Sequence, residues 1–145
     1  MIIDFHTHTF PAKAAPRIIA QLTENGHIPH HTDGTPEGLA ASMQAAGIGL
    51  SVNLPVMTRV DQVEHVNSSL IERYETLLSE GILTFGGLHP DIADPKAEIR
   101  RLKENGIHGV KLHPAYQQTD LNDIRYLRMI DALSEAGLIT VVHAG

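Results

Sequence analysis

Ile2-Ile3-Asp4-Phe5-His6-Thr7-His8-Thr9 carries an apolar run directly into a pair of imidazoles. Strand side chains alternate between faces, so a strand over Ile2 to Phe5 sends His6 and His8 the same way, about two rises of ~3.3 Å apart. Two neutral imidazoles at that spacing can converge on one divalent ion at ~2.0–2.1 Å each. Ile3 and Phe5 occupy the opposite, apolar face and are free to pack. The stretch reads as a strand whose end opens into a metal site. The plainer alternative, two polar residues in a strand-to-loop turn, is the commoner meaning of a bare H-x-H. Further histidines at later strand ends favour the ligand reading.

Composition narrows the class of protein. The 145 residues suit one domain, and 42% hydrophobic with 19% charged residues suits a folded chain. A formal net charge of -6 argues against non-specific binding to nucleic acid or to an anionic membrane, both of which need a basic face. With no cysteine there is no disulfide framework and no thiolate ligand or nucleophile. No apolar run reaches the length of a membrane span, and the start lacks the pattern of a secretory signal, so a cytoplasmic location is expected. Ten histidines are an excess that points toward metal or acid–base chemistry.

Beyond the first strand, the pattern alternates. Ala12 to Glu24 is predicted as a helix stopped by Asn25-Gly26, followed by a polar loop from His27 through Ile28 to Gly34. Thr35 and Pro36 open a second helix that ends at Ala46-Gly47. Ile48 to Leu54 alternates as a strand. One long helix is predicted over Asp61 to Glu80, with Val63, Val66, Leu70, Tyr74 and Leu77 at helical spacing. Gly81 stops it, and Ile82 to Leu88 forms a third strand. Asp94-Pro95 opens a helix to Asn105-Gly106, Ile107 to Leu112 is a fourth strand, Asp123 to Ala136 a helix, and Leu138 to Val142 a fifth strand. This repeat of about 25–34 residues implies βαβ units and a parallel sheet with right-handed crossovers.

Glycine usage helps to choose the architecture. No phosphate-binding G-x-G-x-x-G follows the first strand, which weakens a dinucleotide-binding reading. Polar residues instead close successive strands at His8, Asn53, His89, Lys111, His113 and His143. Many strand ends meeting at one mouth define a (β/α)8 barrel, so a TIM-barrel-type α/β fold is expected, with about five parallel strands present.

Those strand-end residues are the remaining candidates. In the fourth strand Val110 and Leu112 suit the helical layer, because Lys111 facing it would bury an unpaired ammonium. Lys111 and His113 therefore point toward the barrel axis. Lys111 reads as a structural lysine paired to a carboxylate such as Asp4, as a metal-bridging carbamylated lysine, or as a substrate-binding group. His143 sits where a strand runs out into a glycine turn, as a ligand would. His89-Pro90 and His113-Pro114 echo one another, either as proline-fixed turns facing water or as imidazoles that orient ligands or substrate. His27, His30 and His31 read as surface or lid residues.

Taken together, Asp4-Phe5-His6-Thr7-His8, Phe85-Gly86-Gly87-Leu88-His89-Pro90, Gly109-Val110-Lys111-Leu112-His113-Pro114 and Val141-Val142-His143-Ala144-Gly145 resemble the amidohydrolase superfamily, in particular its amidohydrolase-2 branch. The resemblance runs along essentially the whole chain. It implies one divalent ion, usually zinc, held by His6, His8 and the fifth-strand His143. It makes Lys111 the match to a lysine that bridges two metals in binuclear branches. His89, His113, Lys111 and Asn53 then bind substrate or support the ligands. The family's sixth-strand histidine and eighth-strand aspartate, the expected acid–base group, have no counterpart before Gly145. The chain thus reads as residues 1–145 of a longer single barrel, with uncovered strand edges that invite homo-oligomerisation.

The activity this implies is hydrolysis by metal-activated water on a small polar or carboxylated molecule, with decarboxylation in the same family as the alternative. A third reading is a non-catalytic metal-binding or assembly module. Two other metal-dependent barrels begin similarly. The polymerase and histidinol phosphatase type is disfavoured by Asn53-Leu54-Pro55 where a Thr-Asp-His-like motif is expected. The metal-dependent deoxyribonucleases are disfavoured by the lack of an acidic residue near Lys111.

Overall fold

The computed structural model describes residues 1–27 and 29–144; Ile28 of the predicted polar loop and Gly145 of the last motif lie outside the described residues. Two compact units emerge, Met1–Asn53 with Glu75–Leu83, and Leu54–Tyr74 with Thr84–Gly145. Each holds one three-stranded sheet.

In the first unit, β1 (Ile2–Thr7) pairs in parallel with β2 (Ile48–Asn53), and β3 (Ile82–Thr84) completes the order β1-β2-β3. The crossover between β1 and β2 carries α1 (Ala15–Gly26) and α2 (Pro36–Ala46). The α2 start follows the predicted cap: Thr35 Oγ1 accepts the Gly38 N–H at 3.0 Å, and Pro36, which has no N–H to satisfy, takes the first helical position. At its other end Gly47 adopts φ 69°, left-handed backbone that glycine tolerates without strain. The core joins Met43, Leu77 and Ile82 with Leu39, Ala40 and Ile48. The alternation predicted for β2 does not leave one face wet. Ser51, Val52 and Asn53 are all buried, as in a parallel sheet covered on both faces. On β1, Ile3 and Phe5 remain about half exposed.

In the second unit the sheet order is β4 (Gly86–Gly87), β5 (Gly109–Leu112), β6 (Ile139–Val142), all parallel. Its helices are α3 (Gln62–Glu72), α5 (Pro95–Glu104), the four-residue α6 (Pro114–Gln117) and α7 (Ile124–Ala136). Asp94 and Asp123 cap α5 and α7 through their carboxylates, as the sequence predicts for Asp94. Leu102, Ile99, Phe85, Val110, Leu112, Tyr126, Met129 and Leu133 are buried, each worth about 1.5–3 kcal/mol as apolar surface removed from water.

Two predicted elements are divided. The helix expected over Asp61 to Glu80 breaks at Arg73 into α3 and α4 (Tyr74–Ser79). The strand expected over Ile82 to Leu88 separates at Phe85 into β3 and β4, so among the described residues six short strands in two sheets replace the expected five. One cause explains both. Each run feeds two cores: Leu77 and Ile82 pack with Met43, whereas Phe85 packs against Gly109. A periodic apolar pattern records that a residue is buried, not in which core.

Candidate metal centre and strand-end imidazoles

The end of β1 builds its site from short-range geometry. Asp4 Oδ1 accepts the His6 N–H at 3.1 Å, and Thr7, facing inward, donates its hydroxyl to the Val52 carbonyl at 2.9 Å. Thr7 and Asn53 are register partners, and Asn53 Oδ1 accepts the Thr9 N–H at 2.9 Å. The chain on either side of His8 is therefore tied to β2. His6 and His8 are exposed, their ring centroids 5.0 Å apart and their planes at 69°. Two neighbouring, accessible imidazoles fit two positions of a divalent shell, which takes four ligands in zinc sites. Among the described residues, no group of three or more His, Asp or Glu side chains is gathered to hold an ion.

The strand ends of the second unit carry the other predicted residues. His143 follows β6, donates its main-chain N–H to the Leu112 carbonyl at 3.1 Å, and stacks on His113 at 4.0 Å between centroids. Tyr116 stacks on His113 as well, at 4.2 Å. Stacking uses ring faces and leaves the in-plane nitrogens of His143 directed outward from its edge. His113 is the N-cap of α6: its Nδ1 accepts the Tyr116 N–H at 3.4 Å. His89 uses the same device, Nδ1 accepting the Asp91 N–H at 3.2 Å. The echo between the two His-Pro ends thus has a physical form. An Nδ1 that accepts carries no proton, so in each neutral ring the proton sits on Nε2.

Burial pushes the His89 pKa below the ordinary value, against the pull of Asp91, with Arg125 adding to the depression. The 3.7 Å approach of Asp91 Oδ2 to His89 Nδ1 is accordingly not an ion pair at neutral pH. Arg125 instead takes Asp91, together with a two-pronged grip on Asp123. Lys111, in register between Gly87 and Val141, is 1% exposed, and desolvation lowers its pKa.

Two buried amides escaped the sequence reading. Gln117 donates to the Met57 carbonyl at 2.8 Å and the Leu88 carbonyl at 2.6 Å, and accepts from the His113 N–H at 3.1 Å and the Tyr126 hydroxyl. Asn67 of α3 donates to the Gly87 carbonyl at 2.9 Å and accepts its N–H at 3.0 Å. Its amide imitates a fourth strand along the open edge of β4. A local clue existed for Gln117 alone: a cap with Gln shortly after it resembles a capping box widened by one residue.

Comparison with known proteins names the class. The amidohydrolase family profile of the second type matches residues 3–145, and the chain belongs to that family. No curated protein matches it. Solved structures share its fold. The IDCase of Metarhizium anisopliae, in apo form, superposes with a TM-score of 0.72 at 16% identity. An amidohydrolase II structure gives 0.71 at 19%. The 5-carboxyvanillate decarboxylase of Novosphingobium aromaticivorans, solved with manganese and 3-methoxy-4-hydroxy-5-nitrobenzoic acid, gives 0.71 at 15%. These neighbours are TIM-barrel amidohydrolases. Each alignment covers 99% of this chain and 50% of the other, so the chain spans about half their length.

Proposed function

We propose that this chain contributes half of a single (β/α)8 barrel and serves a metal-dependent hydrolase acting on a small polar or carboxylated molecule. The observation that carries the reading is the His6–His8 pair, two exposed imidazoles 5.0 Å apart at the end of β1. His6 and His8 would hold one divalent ion, with His143 as a further ligand by resemblance. Zinc suits such nitrogen donors, and the manganese of the decarboxylase neighbour makes that ion the next candidate. When bound, the ion supplies Lewis acidity, polarising a substrate oxygen and lowering the pKa of water.

The chain's own groups do the rest. Asn53 and Asp4 fix the backbone around His8 and His6, which limits how far the pair can drift. Neutral His89 presents an Nε2–H donor suited to a carboxylate or carbonyl oxygen, and His113 is its counterpart at the end of β5. Lys111, buried in β5, is the further candidate for binding substrate or supporting the ligands. The acid–base group is sought outside these residues.

Decarboxylation is the second reading, because a named structural neighbour is a decarboxylase and the same groups orient a carboxylate. A non-catalytic metal-binding module is the third. We also propose a cytoplasmic location and a homo-oligomeric state. No helix among the described residues is long and apolar enough to cross a membrane.

The test is metal content per chain, measured after purification in zinc- or manganese-supplemented medium, for the wild type and for H6A/H8A. A bound ion lost in the double variant supports the reading. An equal metal content in both removes His6 and His8 from the site. Assays of carboxylated aromatic and amide substrates then separate decarboxylation from hydrolysis.

A further inference from the structure

Gln117 is 5% exposed, yet all its polar capacity is directed at three chain segments and one side chain. Its Nε2 holds the carbonyls of Met57 and Leu88, residues 60 and 29 positions away in sequence. Its Oε1 holds the His113 N–H and takes the hydroxyl of Tyr126, which is fully buried on α7. Its own N–H returns to the His113 carbonyl at 3.0 Å. Hydrogen bonds from one buried amide therefore converge on the segment after β2, the end of β4 and the turn that starts at His113.

The bond from the Tyr116 N–H to His113 Nδ1 spans 3.4 Å, long for an N–H donor and correspondingly weak. His113 stacks on Tyr116 and on His143, contacts that set its ring plane. The His113 main chain must be held for the 3.4 Å bond to persist, and Gln117 holds it from both its N–H and its C=O.

We infer that Gln117, braced by Tyr126, is a positioning residue that fixes the His113 main chain, and with it the place of the His113 imidazole, through the reciprocal Gln117–His113 bonds. It rests on the proposed function only in assigning His113 to the substrate site; the hub itself requires no metal.

The test uses the metal-free chain with ¹⁵N-labelled histidine, comparing the wild type with Q117L, Q117E and Y126F. Ring nitrogen shifts report the surroundings of the His113 imidazole, and amide exchange reports its main-chain bond. In Q117L the His113 amide exchanges about tenfold faster, relative to Val110 of the preceding β5, and its ring shifts move away from the wild-type values. Q117E keeps the Oε1 acceptor but turns a carboxylate oxygen toward the Met57 and Leu88 carbonyls, so His113 protection falls between those of the wild type and Q117L. A folded Q117L with unaltered His113 shifts, or one in which every amide loses protection equally, overturns the inference. Should Q117L not fold, Y126F decides: displaced His113 shifts support the hub, and wild-type shifts overturn it. Metal content, measured separately, keeps the two readings apart. A sound hub in a chain without metal refutes only the proposed function, and metal binding with an indifferent hub refutes only this inference.

Discussion

The His143 ring lies 4.0 Å from that of His113 and within 12° of parallel. Face-to-face contact and ligation draw on different parts of the imidazole, so they can be separated by substitution. His143→Phe keeps a stacking ring without nitrogens, whereas His143→Ala removes both. The alanine variant is expected to lose about 0.5–1.5 kcal/mol of stability and the phenylalanine variant much less. Both should lose metal to the same extent. Urea unfolding and metal analysis of the pair check this, and full metal content in His143→Phe would remove His143 from the ligand set.

His89 gives the fold a pH dependence of definite sign. Its folded pKa lies below the ordinary 6.5, because burial disfavours the imidazolium. Above that value both folded and unfolded chains hold it neutral, and its contribution is complete. As pH falls below 6.5 the unfolded chain takes up a proton that the folded chain resists, so stability declines until the folded pKa is passed. Urea midpoints measured downward from about pH 7.5 should fall in that window, and His89→Gln should flatten the decline. An unchanged slope in the variant would assign the effect to other groups. Asp123, held down to about 2 by Arg125, acts only in the separate acid range below 3.8.

Gly109 admits no side chain. A Cβ there would stand 2.4 Å from the Phe85 ring and 2.7 Å from the Ile139 carbonyl, one of them backbone that cannot step aside. Gly109→Ala should cost about 2–3 kcal/mol by overpacking. Adding Phe85→Leu relieves the ring but not the carbonyl, so thermal unfolding of G109A/F85L should show partial recovery relative to the sum of the single changes. Strict additivity would mean that the ring contact is not the source of the strain.

Asn67 closes the β4 edge with both ends of its amide, and its Nδ2 also meets Glu98 Oε1 at 2.7 Å. Asn67→Asp removes the donor and sets a carboxylate against Glu98, with an expected cost of about 3 kcal/mol. Part of the loss should return in N67D/E98Q, where the like charges no longer face each other. A double-mutant cycle in urea measures the coupling, and zero coupling would rule out the contact as drawn.

Much of this was legible in the residues because local chemistry writes it. Thr35 and Asp94 cap helices through side chains three residues from their partners, and glycines at Gly47, Gly81 and Gly106 take left-handed backbone at the stops where they were expected. The His6-x-His8 pairing, the parallel strands and the echo of His89 and His113 follow from the same short-range rules. Only the tertiary structure decided that the runs through Tyr74 and Phe85 divide between two cores, and that Gln117 and Asn67 join distant segments. Gln117 meets Met57 across 60 residues and Asn67 meets Gly87 across 20. A buried amide selects partners by the space and unpaired backbone groups around it, and those exist only once the chain has packed.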